Sequence, residues 1–137
     1  MITKGIKELC AEAEAEIETI PAAEAVKLMK DENVQLVDIR DVRELWREGA
    51  IPGALHAPRG MLEFWVDPAS PYHKEAFTTG KKFVFFCAGG LRSALATQSV
   101  QRMGLKPVAH IEGGFAAWRE AGGPVEAKEP KLPSSQK

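Results

Sequence analysis

Cysteine is scarce in this chain of 137 residues: there are two, Cys10 and Cys87. One stands in a charged segment and the other in a glycine turn, so they do not form a disulfide framework. Three histidines without ligand spacing do not make a metal site, and neither metal nor cofactor is expected. Long apolar runs are missing too. Nothing approaches the roughly 18 apolar residues of a membrane span, and no apolar segment follows Met1 as a signal peptide requires. A net charge of −1 supplies no basic excess for nucleic acid or an anionic bilayer. A free thiol in such a chain fits a reducing compartment, and the expected location is cytoplasmic. What remains, 45% apolar and 27% charged residues, is ordinary globular composition at the length of one domain.

Against that plain background Cys87 stands out. It follows Phe83-Val84-Phe85-Phe86, an apolar run that reads as a strand buried on both faces of a parallel sheet. After it come Ala88-Gly89-Gly90-Leu91-Arg92-Ser93 and then a helix over 92–103, with Leu95, Ala96, Ser99, Val100 and Met103 on one face and Gly104 as its stop. A thiol at the carboxyl end of a central strand lies where open α/β sheets bind ligands. Two glycines and an alanine let successive N–H groups converge on one point, forming an anion nest. The helix dipole and Arg92 add positive charge. Such a setting favours the thiolate, which is the nucleophile, and would equally hold an anionic group carried on the sulfur. A buried structural cysteine is the plain alternative, but packing alone has no use for Gly-Gly and Arg directly after it.

The chain reads onward as α/β. A helix over 4–18 has a thin apolar stripe of Ile6, Leu9, Ala13 and Ile17, and is expected at the surface or loosely packed. Cys10 beside that stripe reads more simply as a small apolar contact than as a resolving thiol. A short strand at Thr19-Ile20 and a helix over 22–30 follow, with Pro21 at its start. Next come a strand ending in Asp38-Ile39-Arg40, a helix over 42–47 holding Glu44, and the turn Gly49-Ala50-Ile51-Pro52-Gly53-Ala54. A long connection, 58–80, precedes the Cys87 strand. The closing motif is Glu112-Gly113-Gly114-Phe115-Ala116-Ala117-Trp118, finished by Pro124-Val125. His56 and His110 read as structural.

These four ordered motifs resemble the rhodanese (sulfurtransferase) family over about residues 17 to 126. One departure is Ala50, where the family turn carries His. The resemblance implies a single domain with a mostly parallel central sheet and helices on both faces. It is preceded by a helical extension (1–16) and followed by a tail expected to be disordered (127–137). The protein tyrosine phosphatases are the nearest chemical competitor. Their loop reads His-Cys, five residues, Arg, whereas here Phe86 precedes the cysteine and four residues separate Cys87 from Arg92. The shorter ring suits sulfur rather than a phosphoryl group.

The family's chemistry implies that Cys87 takes a sulfane sulfur from a small anionic donor such as thiosulfate. The resulting persulfide would be held by Ala88, Gly89, Gly90, Leu91, Arg92 and Ser93, then passed to cyanide or a thiol. A sulfur-relay protein as the loading partner is the alternative, docking on the N-terminal helix; a phosphatase or arsenate reductase stands third. The resemblance also places the long connection near the mouth of the pocket, where Arg59, Trp65, Tyr72 and His73 could line it, Arg59 foremost as a second cation for an anionic donor. The plain alternative puts Phe64 and Trp65 in the core and leaves Arg59 and His73 solvated. Asp38 is a further candidate, ordering the loop from the neighbouring strand end. An ion pair tying the strand ends together is the simpler role for it.

Overall fold

A computed structural model describes residues 1–130 of the chain. Five short strands lie side by side: β1 (Glu18–Ile20), β2 (Val34–Asp38), β3 (Leu55–His56), β4 (Lys82–Phe86) and β5 (Val108–Ile111). Every neighbouring pair is parallel, in the order β1-β5-β4-β2-β3. β4, the Cys87 strand, is therefore central. Parallel neighbours cannot be joined by hairpins, so the chain crosses over each time, mostly through helices. These are α1 (Ile6–Glu16), α2 (Ala22–Leu28), α3 (Val42–Glu48), α4 (Leu62–Val66), α5 (Leu91–Arg102) and α6 (Gly114–Glu120), with single 3₁₀ turns at Arg59–Met61 and Glu75–Thr78.

The apolar run of β4 feeds two cores by its period of two. Phe83, Phe85 and then Cys87 lie in one cluster with Leu62 and Val66 of α4 and Ala96 and Val100 of α5. Val84 and Phe86 lie in the other with Ala25 of α2 and Phe115 and Trp118 of α6. Helices thus cover both faces. Burying each of these phenylalanines contributes about 1.5–3 kcal/mol. Cys87 continues the alternation, so its side chain falls on the face that carries α5.

Two expectations about helix faces need correcting. α1 packs directly on α5, and its buried residues are Cys10 and Ala13, while Ile6 and Leu9 stay exposed. Small side chains let the two helix backbones approach, which the larger Ile6 and Leu9 would prevent. Gln98, Gln101 and Arg102 fasten the end of α1 through Glu16. The extension lies at the surface, as expected, exposed apart from Cys10 and Ala13, but it is packed on α5 rather than loosely held. α5, lying between the sheet and α1, buries a stripe of Ser93, Ala96, Thr97 and Val100 with Ala94 beside it, turned from the expected face so that Met103 is exposed. At the other end of the chain, Ala50 and Glu126 form an antiparallel bridge. Residues 127–130 carry no helix or strand, and the rest of the expected tail, 131–137, lies outside the described residues.

Candidate functional site

The loop after β4 turns because Gly90 adopts φ +100°, a left-handed conformation that a side chain would resist. That turn aims two N–H groups at one atom. The Gly90 N–H lies 3.1 Å and the Ser93 N–H 3.4 Å from Cys87 Sγ. The Ser93 hydroxyl is 3.6 Å from the same sulfur. Donors that converge on a sulfur in a site only 1% exposed stabilise negative charge there, since burial leaves no water to compete. Of the loop residues, Gly89 and Leu91 are exposed, Ala88 and Arg92 partly buried, and Gly90 and Ser93 buried.

A second glycine turn holds the loop from behind. Gly113 and Gly114 both have positive φ, and a Cβ on Gly114 would collide with the Cys87 carbonyl oxygen. That close approach lets Phe115 N–H donate to the Cys87 carbonyl at 2.8 Å and Ala116 N–H to the Ala88 carbonyl at 3.1 Å. The closing Gly-Gly-Phe motif is a clamp on the cysteine loop.

The charge expected from Arg92 is not free. Its guanidinium makes a fork to Glu44, Nη1 to Oε2 at 2.8 Å and Nη2 to Oε1 at 2.9 Å. Glu44 is fixed in turn by a capping box at the start of α3, where its Oε2 accepts the Asp41 N–H at 2.9 Å and Asp41 Oδ1 accepts the Arg43 N–H at 2.9 Å. The bond from Arg92 holds the Glu44 carboxyl below the usual carboxylate range. Glu44 in turn pushes the Arg92 pKa up, with the Cys87 charge adding to it. Arg92 therefore faces the sulfur as half of an ion pair, which corrects the expectation of a whole unpaired charge.

The three pocket candidates each have another occupation. Asp38 is buried against Arg40, which donates from Nη2 to Oδ2 at 2.8 Å and from Nε to Oδ1 at 3.0 Å. Arg40 also donates to the Gly49 carbonyl at 2.8 Å and lies over the Phe115 ring. The pair thus joins β2, the Ala50 turn and α6. It is the structural role, and the carboxylate is turned to Arg40 rather than to the sulfur. Arg59 donates to Glu63 one turn on, at 2.8 Å and 3.0 Å, and Glu63 accepts from Ser99 of α5. Trp65 is half-buried against the α5-side core, with Lys74 over its ring. His73 donates from Nδ1 to the Trp65 carbonyl, and Tyr72 is exposed, edge-on to Phe64. None of these side chains hydrogen-bonds the Cys87 loop.

Two residues given no part in the expected site do reach it. Glu44 is one; a capping-box spacing marked its position but not its partner. His110 of β5 is the other, with Nδ1 2.9 Å from Ser93 Oγ. Cys10 lies behind the loop, its Sγ 3.7 Å from the Leu91 carbonyl. Burial, then the charges of Glu14 and Cys87, push its thiol pKa up, which suits an inert contact better than a nucleophile. Among the described residues no group of three or more His, Cys, Asp or Glu side chains could hold a metal, and no helix is long and apolar enough to cross a membrane.

Comparison with known proteins agrees with this geometry. The model of the Rhodanese-like domain family matches residues 21–121. YtwF of Bacillus subtilis, a sulfurtransferase by name, is 35% identical over 97 residues, covering 71% of this chain and 84% of YtwF. YrkF of the same organism, by name a sulfur carrier protein, is 25% identical over 92 residues, but the chain spans only 45% of its length. A solved structure from Rhodopseudomonas palustris, of unknown function and described as a possible tyrosine phosphatase, is 61% identical with a TM-score of 0.89, covering 92% of this chain and 97% of that one.

Proposed function

We propose, since this chain belongs to the rhodanese-like domain family, that it is a sulfurtransferase working through a persulfide on Cys87. The observation that carries this reading is the convergence of the Gly90 and Ser93 N–H groups on Cys87 Sγ. In the first half-reaction a lone pair of the Cys87 thiolate attacks the outer sulfur of thiosulfate. An S–S bond forms, and the electrons of the old S–S bond leave with sulfite. In the second, cyanide or a thiolate attacks the terminal sulfur, and the bonding pair returns to Cys87. The same N–H groups serve both anions, thiolate before transfer and persulfide after it.

A carrier reading, in which a partner protein's persulfide loads Cys87, has one observation in its favour. Glu44 neutralises Arg92, so the loop offers little net charge to a doubly charged donor. A phosphatase reading, raised by the R. palustris relative, meets the same obstacle: a phosphoryl group would have to displace Glu44 from the guanidinium. It also has Phe86 before the cysteine and the shorter spacing to Arg92.

The test is intact-protein mass spectrometry after thiosulfate, wild type beside Cys87→Ser, then cyanide. A gain of one sulfur that is absent in the variant and removed by cyanide is expected. No gain from thiosulfate, with rapid loading by a protein persulfide, selects the carrier. Hydrolysis of an aryl phosphate dependent on Cys87 would replace both readings.

A further inference from the structure

Ser93 Oγ stands between two buried groups, Cys87 Sγ at 3.6 Å and His110 Nδ1 at 2.9 Å. We propose that His110 is a positioning residue: as the Nδ1–H tautomer it donates to Ser93 Oγ and so directs the single Ser93 hydroxyl proton onto the Cys87 thiolate. The inference rests on Cys87 being the nucleophile of the proposed transfer.

A hydroxyl has one proton to give. Ser93 has three acceptors within reach: the sulfur, His110 Nδ1 if that nitrogen is bare, and the Gly90 carbonyl at 3.4 Å. If Nδ1 is bare, the proton goes to the imidazole, the shortest of the three contacts, and the sulfur loses a donor. If Nδ1 carries hydrogen, Ser93 accepts from it and its own proton turns to sulfur. The far nitrogen supports the second arrangement. His110 is 2% exposed, and among the described residues its Nε2 has no partner. An Nδ1–H tautomer leaves a bare lone pair there, whereas the other buries an N–H with no acceptor and turns Ser93 away from the sulfur. A hydrogen bond to an anion is roughly twice as strong as a neutral one, so a thiolate at Cys87 adds to the preference.

The ring must also be neutral for the choice of tautomer to exist. Burial lowers the His110 pKa, opposed by the charges of Glu14 from α1 and Glu112 just beyond β5. Ser93 meets the ring at Nδ1, with the Cys87 sulfur beyond its hydroxyl. The order of the chain is therefore His110 N–H to Ser93 O, then Ser93 O–H to sulfur, with no proton transferred.

The test reads the thiol, with no sulfur donor present. Full-length variants are treated with iodoacetamide across a pH series, and peptide masses separate Cys87 from Cys10. Ser93→Ala is expected to slow Cys87 alkylation at neutral pH about tenfold and to displace its pH profile to higher pH. His110→Phe should do nearly the same, and should add little in the Ser93→Ala background. His110→Asn, whose amide N–H can donate to Ser93, should restore most of the rate. Wild-type alkylation in a folded His110→Phe protein, or losses that multiply in the double variant, would overturn the relay. If His110→Phe does not fold, ring nitrogen shifts of the wild type decide: the Nδ1–H signature supports the proposal and the Nε2–H signature ends it. A chain that shows these effects yet takes no sulfur from thiosulfate keeps the relay and loses only that donor.

Discussion

Cys87, Arg92 and Glu44 form a site in which charge is arranged as much by withdrawal as by supply. Glu44→Gln should release Arg92 toward the sulfur and raise kcat/KM for thiosulfate about threefold to tenfold, with a smaller change for an uncharged donor. Steady-state kinetics at neutral pH check this; an equal or lower value would show that the pair serves the loop as it stands. The pH dependence has the same sign. Arg92 holds the Glu44 carboxyl low, so the stabilisation is complete above the ordinary carboxylate range and is lost as pH falls through that lowered value. Glu44→Gln is thus a neutral-pH copy of the acid state. At this scale the sequence singled out Cys87 and the loop glycines, because they are contiguous. It concealed Glu44 and His110, whose partners lie 48 and 17 positions away. A fork and a ring contact of that span leave no local spacing to read.

Among the elements, the glycine turn before α6 has the most exposed consequence for the site. Gly114→Ala places a Cβ against the Cys87 carbonyl and forces φ +60° on a side chain. The left-handed backbone alone costs about 1–2 kcal/mol. A urea melt should show at least that loss, and Cys87 alkylation should change because the loop must shift; wild-type behaviour in both would mean that the clamp is not rigid. Ala13→Leu is a comparable test of α1. Overpacking against α5 typically costs about 1–3 kcal/mol, whereas a loosely held extension would tolerate it. Most strands and helices were legible: β4 from its apolar run, α5 from its apolar spacing and the Gly104 stop, α6 from Gly-Gly-Phe; the two-residue β3 is too short to leave a pattern. Which side of a helix would be buried was not legible. Periodicity assumes one covered face, and α5 is covered by the sheet on one side and α1 on another.

For the whole molecule, the buried histidine makes folding sensitive to mild acid. Its proton is bound less tightly in the folded chain than the ordinary value of 6.5. As pH falls below that value the unfolded chain gains a proton that the native one resists, so stability declines on the acid side. Thermal melts of wild type and His110→Phe between neutral and mildly acidic pH should converge as pH falls; parallel curves would contradict this. Trp118, buried in the second cluster with its Nε1–H on the Pro124 carbonyl at 2.9 Å, anchors the opposite layer. Its replacement by Ala should cost about 3–5 kcal/mol in a denaturant melt, enough to unfold a marginal domain. The clamp from Phe115 and Ala116 onto the Cys87 loop also sets an order in time. A ribosome delivers Cys87 28 residues before the first of those N–H groups. Until residues 113–116 emerge the loop lacks its rear support, so a nascent chain carries the thiol before it can hold it in working form.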